Sequence, residues 1–116
     1  MRNMSFPLTT AQVGARTKTV TRRFGWWFLR PGDCVQPVVK SRGLHKGDAL
    51  QPIGGPIRVL SCRAEFLDDI TQEDCSREGF PAYTPGGFIS MLCRQYGCVA
   101  HSLMNRIEFE YLEDTP

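Results

Sequence analysis

A chain of 116 residues that is 41% hydrophobic is long enough for one compact domain and too short for two ordinary ones. Its formal charge of +2 hides an uneven distribution: residues 1 to 60 carry ten Lys/Arg against Asp33 and Asp48, whereas residues 61 to 116 carry four against ten Asp/Glu. If the two halves occupy different surfaces, one suits a polyanion and the other repels it.

Asn3 to Phe6 reads as an opening strand that Pro7 stops. Thr9 or Thr10 can cap a short helix through Ala11-Gln12-Val13 to about Ala15, weakened by Gly14. Residues 16 to 28, Arg16-Thr17-Lys18-Thr19-Val20-Thr21-Arg22-Arg23-Phe24-Gly25-Trp26-Trp27-Phe28, follow. Four cations, three threonine hydroxyls and an aromatic cluster stand together in this segment. Guanidinium and ammonium groups pair with phosphates, and aromatic planes stack on bases, so the mixture complements a nucleotide or a strand of RNA. An extended conformation puts Lys18, Val20 and Arg22 on one face and Thr19, Thr21 and Arg23 on the other, whereas a turn of helix brings Lys18 and Thr21 together. The bland alternative is a basic strand edge leading into a core Trp pair. Trp26 and Trp27 face opposite ways in a strand, so at most one lines a cleft while the other packs inside.

Pro31-Gly32-Asp33 is a turn. Cys34 to Lys40 reads as a strand whose Pro37 needs an edge position or a bulge. Ser41 to Pro56 is a long loop punctuated by Gly and Pro, and it carries Arg42, His45 and Lys46. Ile57 to Phe66 is the longest strand. Thr71 caps a helix with acids in its first turn and Gly79 at its end. Thr84-Pro85 opens a second helix through Phe88, Met91 and Leu92 to a stop at Gly97. In the last strand, Asn105 to Leu112, Ile107, Phe109 and Tyr111 alternate with Glu108 and Glu110, so the former point inward. Tyr83 and Tyr96 read as structural residues.

The five cysteines form no CxxC pair, and Cys34, Cys62, Cys75 and Cys93 sit among apolar neighbours as buried fillers. An odd count with no signal peptide and no long apolar run favours free thiols, a cytoplasmic location and no membrane association. With two histidines, neither at ligand spacing from a cysteine pair, no metal and no cofactor is expected.

This element order defines an α+β fold with a small curved mixed sheet or barrel and short flanking helices. Lys18-Thr19-Val20-Thr21-Arg22-Arg23, the Pro31-Gly32-Asp33 turn, Ile70 to Asp74, Glu78-Gly79-Phe80 and Arg106-Ile107-Glu108-Phe109 together resemble the ASCH domain family. The likeness spans nearly the whole chain as a single domain, and it is nearest to small stand-alone proteins of bacteria and their phages. It implies a PUA-like β-barrel with a cleft for single-stranded RNA or a modified nucleoside, the segment around Lys18 at its edge and the helix of Glu73 nearby. Arg16, Lys18, Arg22, Arg23, Trp26, Arg42 and Lys46 are the expected binding residues. One subgroup of the family hydrolyses the acyl amide of N4-acetylcytidine with a Lys, a Thr three residues later and a Glu opening the later helix. Lys18, Thr21 and Glu73 stand at the matching places, with Arg22 where that subgroup tends to have an apolar residue.

The residues alone can support that chemistry. A Thr hydroxyl beside a lysine of depressed pKa supplies nucleophile and base, and a carboxylate can orient the lysine or serve the leaving amine. The competing readings are a barrel that binds RNA without chemistry, in which Lys18 and Glu73 form a structural ion pair, and a ribonuclease or phage-borne protein-interaction module.

Overall fold

The computed structural model describes residues 1–40 and 47–112. In chain order the elements are β1 (Arg2–Ser5), α1 (Thr10–Gly14), β2 (Val20–Arg23), β3 (Cys34–Val38), β4 (Ile57–Phe66), a single 3₁₀ turn (Leu67–Asp69), α2 (Gln72–Arg77), α3 (Pro85–Tyr96) and β5 (Leu103–Tyr111). The strands form one mixed sheet in the order β1-β3-β4-β5-β2. β1 runs parallel to β3, and the remaining pairs are antiparallel. The α+β class with short helices is therefore present.

The helices begin and end where their caps dictate. The Thr71 hydroxyl accepts the Asp74 N–H and the Thr84 hydroxyl accepts the Gly87 N–H, each satisfying a donor that the first helical turn leaves orphaned. Gly97 closes α3 in the left-handed conformation at φ 65°. α1 has no side-chain cap. Its five residues are too few to hold a helix alone, so burial of Val13 in the core fixes it.

β4 and β5 form the longest ladder, and a register shift between Val59 and Ser61 expels Leu60 as a bulge. The bulge preserves two chemically distinct faces along an imperfectly alternating strand. On the inner face Ile57, Val59, Ile107 and Phe109 pack with Met4, Phe6, Val13, Leu29 and Val35. Fully covering one such side chain is worth about 1.5 to 3 kcal/mol. On the outer face Met104 joins Leu67, Ile70, Cys75, Phe88 and Leu92 in a second cluster beneath α2 and α3.

Pro37 lies inside the strand order, not at an edge. The β4 pairing of β3 covers Cys34 and Val35 alone, so Pro37 stands past the end of that ladder and its carbonyl accepts the Ile53 N–H at 2.9 Å. The ladder itself does not close: β1 and β2 are its two edges. The Arg23 side chain crosses between them, donating from Nη2 to the Ser5 carbonyl at 2.6 Å with its guanidinium 4.6 Å from the centre of the Phe6 ring. Among the described residues no helix is long and apolar enough to cross a membrane.

Candidate functional site

Successive residues of a strand point to opposite faces, and β2 uses this to divide its charges. Arg22 lies opposite Arg106 and faces α2, whereas Thr21 and Arg23 lie opposite Ile107 and Asn105 on the other face.

Towards α2, cations and carboxylates are packed out of water. Arg22 donates from Nη1 to Glu78 at 2.9 Å and from Nη2 to Glu65 at 2.7 Å, and Nη2 also reaches Asp74. Arg106 grips both oxygens of Asp74, at 2.7 and 3.0 Å, and Arg77 adds a bond at 2.9 Å. Lys18, 3% exposed, donates to the Glu78 carboxylate at 2.7 Å and to the Glu78 carbonyl at 2.8 Å. Burial works against the Asp74 carboxylate, yet Arg106, Arg22 and Arg77 hold it well below the usual carboxylate range. Burial likewise opposes the Arg22 charge, and Glu78, Glu65 and Asp74 overcome it, leaving the guanidinium above the ordinary arginine value. For Lys18 the balance is reversed: burial pushes the amine below the ordinary lysine value although the Glu78 carboxylate acts the other way.

The end of α2 sets the position of Lys18. The Thr19 N–H donates to the Arg77 carbonyl at 2.8 Å, and the Tyr111 hydroxyl donates to the Lys18 carbonyl at 2.6 Å. Gly79 turns the chain away at φ 100°, where a Cβ would lie 2.8 Å from Cγ of Gln12. Only glycine accommodates both the backbone and the close neighbour.

Lys18, Thr21 and Glu78 line one small cavity of about 30 Å³, walled by Phe80, Phe88 and Leu92. That volume suits a single water molecule or a comparably small group. Ser5, Pro7, Arg22, Arg23 and Tyr96 also line a larger cleft of about 510 Å³, which adds Phe24, Trp26, Lys40 and Met104. The larger volume lies in the range of small-ligand pockets.

Arg23 stands at the junction of the two. Its Nε donates to the Thr21 hydroxyl oxygen at 3.1 Å and its Nη2 to the Ser5 carbonyl. Among the described residues no carboxylate lies within ion-pair distance of it. Burial lowers its pKa from the ordinary arginine value.

After β2 the chain does not continue as a strand. Gly25 and Trp26 both take positive φ, 83° and 60°, a conformation that is rare for a bulky side chain. Asn105, fully buried in β5, donates from Nδ2 to the carbonyls of Gly25 at 3.2 Å and Trp26 at 3.1 Å. The turn aims the Trp26 ring into the cleft wall and leaves Trp27 and Phe28 each 52% exposed. Trp27 is therefore a surface residue, not the core residue expected of a strand.

The expected site residues thus separate. Lys18 and Thr21 share the small cavity. Glu73 does not join them: its side chain is 81% exposed and pairs with Arg77 at 3.3 Å, and Glu78, five residues further on at the C-terminal cap of α2, places its carboxylate against Lys18. Arg22 is engaged by three carboxylates and also lines the larger cleft. Arg23 and Trp26 line the cleft, while Arg16 lies over the Tyr111 ring at 5.8 Å, away from the cleft lining. Arg42, Lys46 and His45 lie outside the described residues.

Tyr96, expected to be structural, lines both cavities. Lys40, Asp74 and Asn105 were not anticipated at all. Glu78-Gly79 at a helix end was the one local signal for the carboxylate, because a helix C-terminus attracts a cation such as Lys18. Among the described residues no group of three or more His, Cys, Asp or Glu is arranged to hold a metal ion. Compared with protein-family models, with curated proteins and with solved structures, the chain matches none of them.

Proposed function

We propose that the protein binds a nucleotide unit of RNA in the cleft between β1, β2 and α3, as a member of the ASCH family with a PUA-like sheet curled around its inner core. One observation carries this reading. Arg23 is a cleft cation with no carboxylate partner among the described residues, bordered by Phe24, Trp26 and Tyr96. A guanidinium with no carboxylate to neutralise it, beside rings that can take a base, is the combination nucleotide recognition uses. Lys40 adds a second cation on the same cleft.

The test is a titration of short single-stranded RNA against the wild-type protein and the Arg23→Ala and Lys40→Ala variants at several salt concentrations. Wild-type affinity should fall steeply with salt, and each variant should flatten the slope by about one phosphate contact. Binding that ignores ionic strength overturns the reading.

A second reading, deacylation of an N4-acylated cytidine, is favoured by the buried Lys18 amine sharing its cavity with the Thr21 hydroxyl. In its neutral form Lys18 takes the hydroxyl proton, the Thr21 oxygen attacks the acyl carbonyl, and the C–N bond breaks as the proton passes to the departing amine. Water then cleaves the acyl ester and regenerates the hydroxyl. Glu78, not Glu73, orients the lysine. Acyl release from N4-acetylcytidine should fall by about 100-fold or more in Lys18→Ala and in Thr21→Ala, with little further loss in the double variant. No release by folded protein that still binds RNA leaves the binding reading alone.

A further inference from the structure

The aromatic turn beyond the cleft has a use that a single bound nucleotide does not explain. Trp27 and Phe28 are each 52% exposed, and among the described residues Trp27 has no ring partner. Phe28 packs on the cleft residue Trp26 with ring centres 5.5 Å apart, and the Arg2 guanidinium lies 4.5 Å from the centre of the Phe28 ring. A continuous path of rings and cations therefore leads out of the cleft, from Arg23 and Trp26 through Phe28 to Arg2, with Trp27 open beside it. Among the described residues Arg2, like Arg23, has no carboxylate at ion-pair distance.

The surroundings select the partner. Residues 1 to 32 contain six Lys/Arg and no Asp or Glu, so the chain that builds this path repels cations and attracts a polyanion. Flat rings interleaved with guanidinium groups suit the alternation of base and phosphate along a single strand. The turn is also rigid before any ligand arrives, because the buried Asn105 amide clamps its two left-handed residues through their carbonyls. Pre-ordering lowers the entropy lost on binding.

We infer that the Trp26–Phe28 turn and Arg2 form a second subsite next to the cleft, which takes the neighbouring base and phosphate of a single-stranded nucleic acid. This rests on the cleft reading and extends it from a nucleotide to a strand. Trp27 is the stacking surface for the second base, and Arg2 the contact for its phosphate.

The experiment compares uridine monophosphate with hexauridylate and its thymidylate counterpart on the full chain, by titration at fixed salt. The hexamer of either sugar should bind more tightly than the mononucleotide. Trp27→Ala should weaken the hexamer by about ten-fold or more while leaving the mononucleotide unchanged, and Trp27→Phe should restore most of the loss. Arg2→Ala should flatten the salt slope for the hexamer by about one contact and leave that of the mononucleotide alone. A hexamer that binds no better than the mononucleotide, or a Trp27→Ala protein that loses nothing on the hexamer, overturns the subsite and leaves the cleft standing. Failure of both ligands to bind overturns the cleft and the subsite together. Tight binding of an acidic peptide in place of the hexamer assigns the turn to a protein partner and overturns the inference.

Discussion

Arg22 and Arg23 are neighbours in sequence and opposites in environment. Arg22 is 5% exposed and paired with Glu78, Glu65 and Asp74, whereas Arg23, one residue on, holds a hydroxyl oxygen and a backbone carbonyl and faces an open cleft. The same side chain is an ion-pair tie on one face of β2 and, on the other, the group proposed for binding. A run of basic residues therefore says little about which of them meets a ligand, since the strand's two-residue period assigns half of them to the far side.

Removing the acid at the centre of the buried face should have the largest effect. Asp74→Ala leaves Arg22 and Arg106 in a water-poor layer without their shared partner, and breaking such a pair costs about 3 to 5 kcal/mol. Denaturant unfolding of this variant should show a large drop in midpoint at unchanged slope. A loss under about 1 kcal/mol would mean that the layer is wet and the contrast between the faces is false.

Acid offers a gentler route to the same layer. Asp74 and Glu65 both titrate below their ordinary values in the fold. Between those folded values and the unfolded carboxylate range, near about 4, the unfolded chain binds more protons. The stability they contribute is thus complete above that range and is lost progressively as pH falls from it through the lower folded values. Unfolding midpoints followed from pH 7 downwards should stay level and then decline below about pH 5, and a decline that begins near neutrality would implicate other groups.

The smallest effect belongs to Glu73. Its contact with Arg77 is an exposed i,i+4 pair, worth about 0.3 to 0.5 kcal/mol. Glu73→Gln should leave melting temperature, RNA affinity and any acyl release almost unchanged, in contrast to Glu78→Gln. A Glu73→Gln protein that loses function while Glu78→Gln keeps it would return the catalytic carboxylate to position 73.

Local chemistry explains what could be read from the sequence. β4 and the helices α2 and α3 carry their own punctuation, in Pro56 before the strand, the Thr71 and Thr84 caps and the left-handed Gly97. Lys18 and Thr21 stand together in the sequence reading only through the ASCH resemblance, since an extended strand by itself places them on opposite faces. What the sequence did not disclose depends on distant partners. Trp26 adopts its turn through Asn105, 79 residues away. Glu78 rather than Glu73 meets the Lys18 amine because α2 docks by its C-terminal end on the residues around Thr19. The closed barrel gave way to a ladder with two edges, since pairing across a seam leaves no mark in either strand alone.

That seam has a thermodynamic character of its own. Backbone ladders open many bonds together, but β1 and β2 are spanned here by the Arg23 guanidinium, and one rotamer change releases it. The group that latches the seam is also the one proposed above to meet the ligand. Under the proposed reading, whatever a phosphate on Arg23 does to the closed seam, the closed seam does to phosphate binding by the same amount, because coupling between two equilibria is reciprocal. Recognition at the cleft, as proposed, and fastening of the sheet would then share a single side chain.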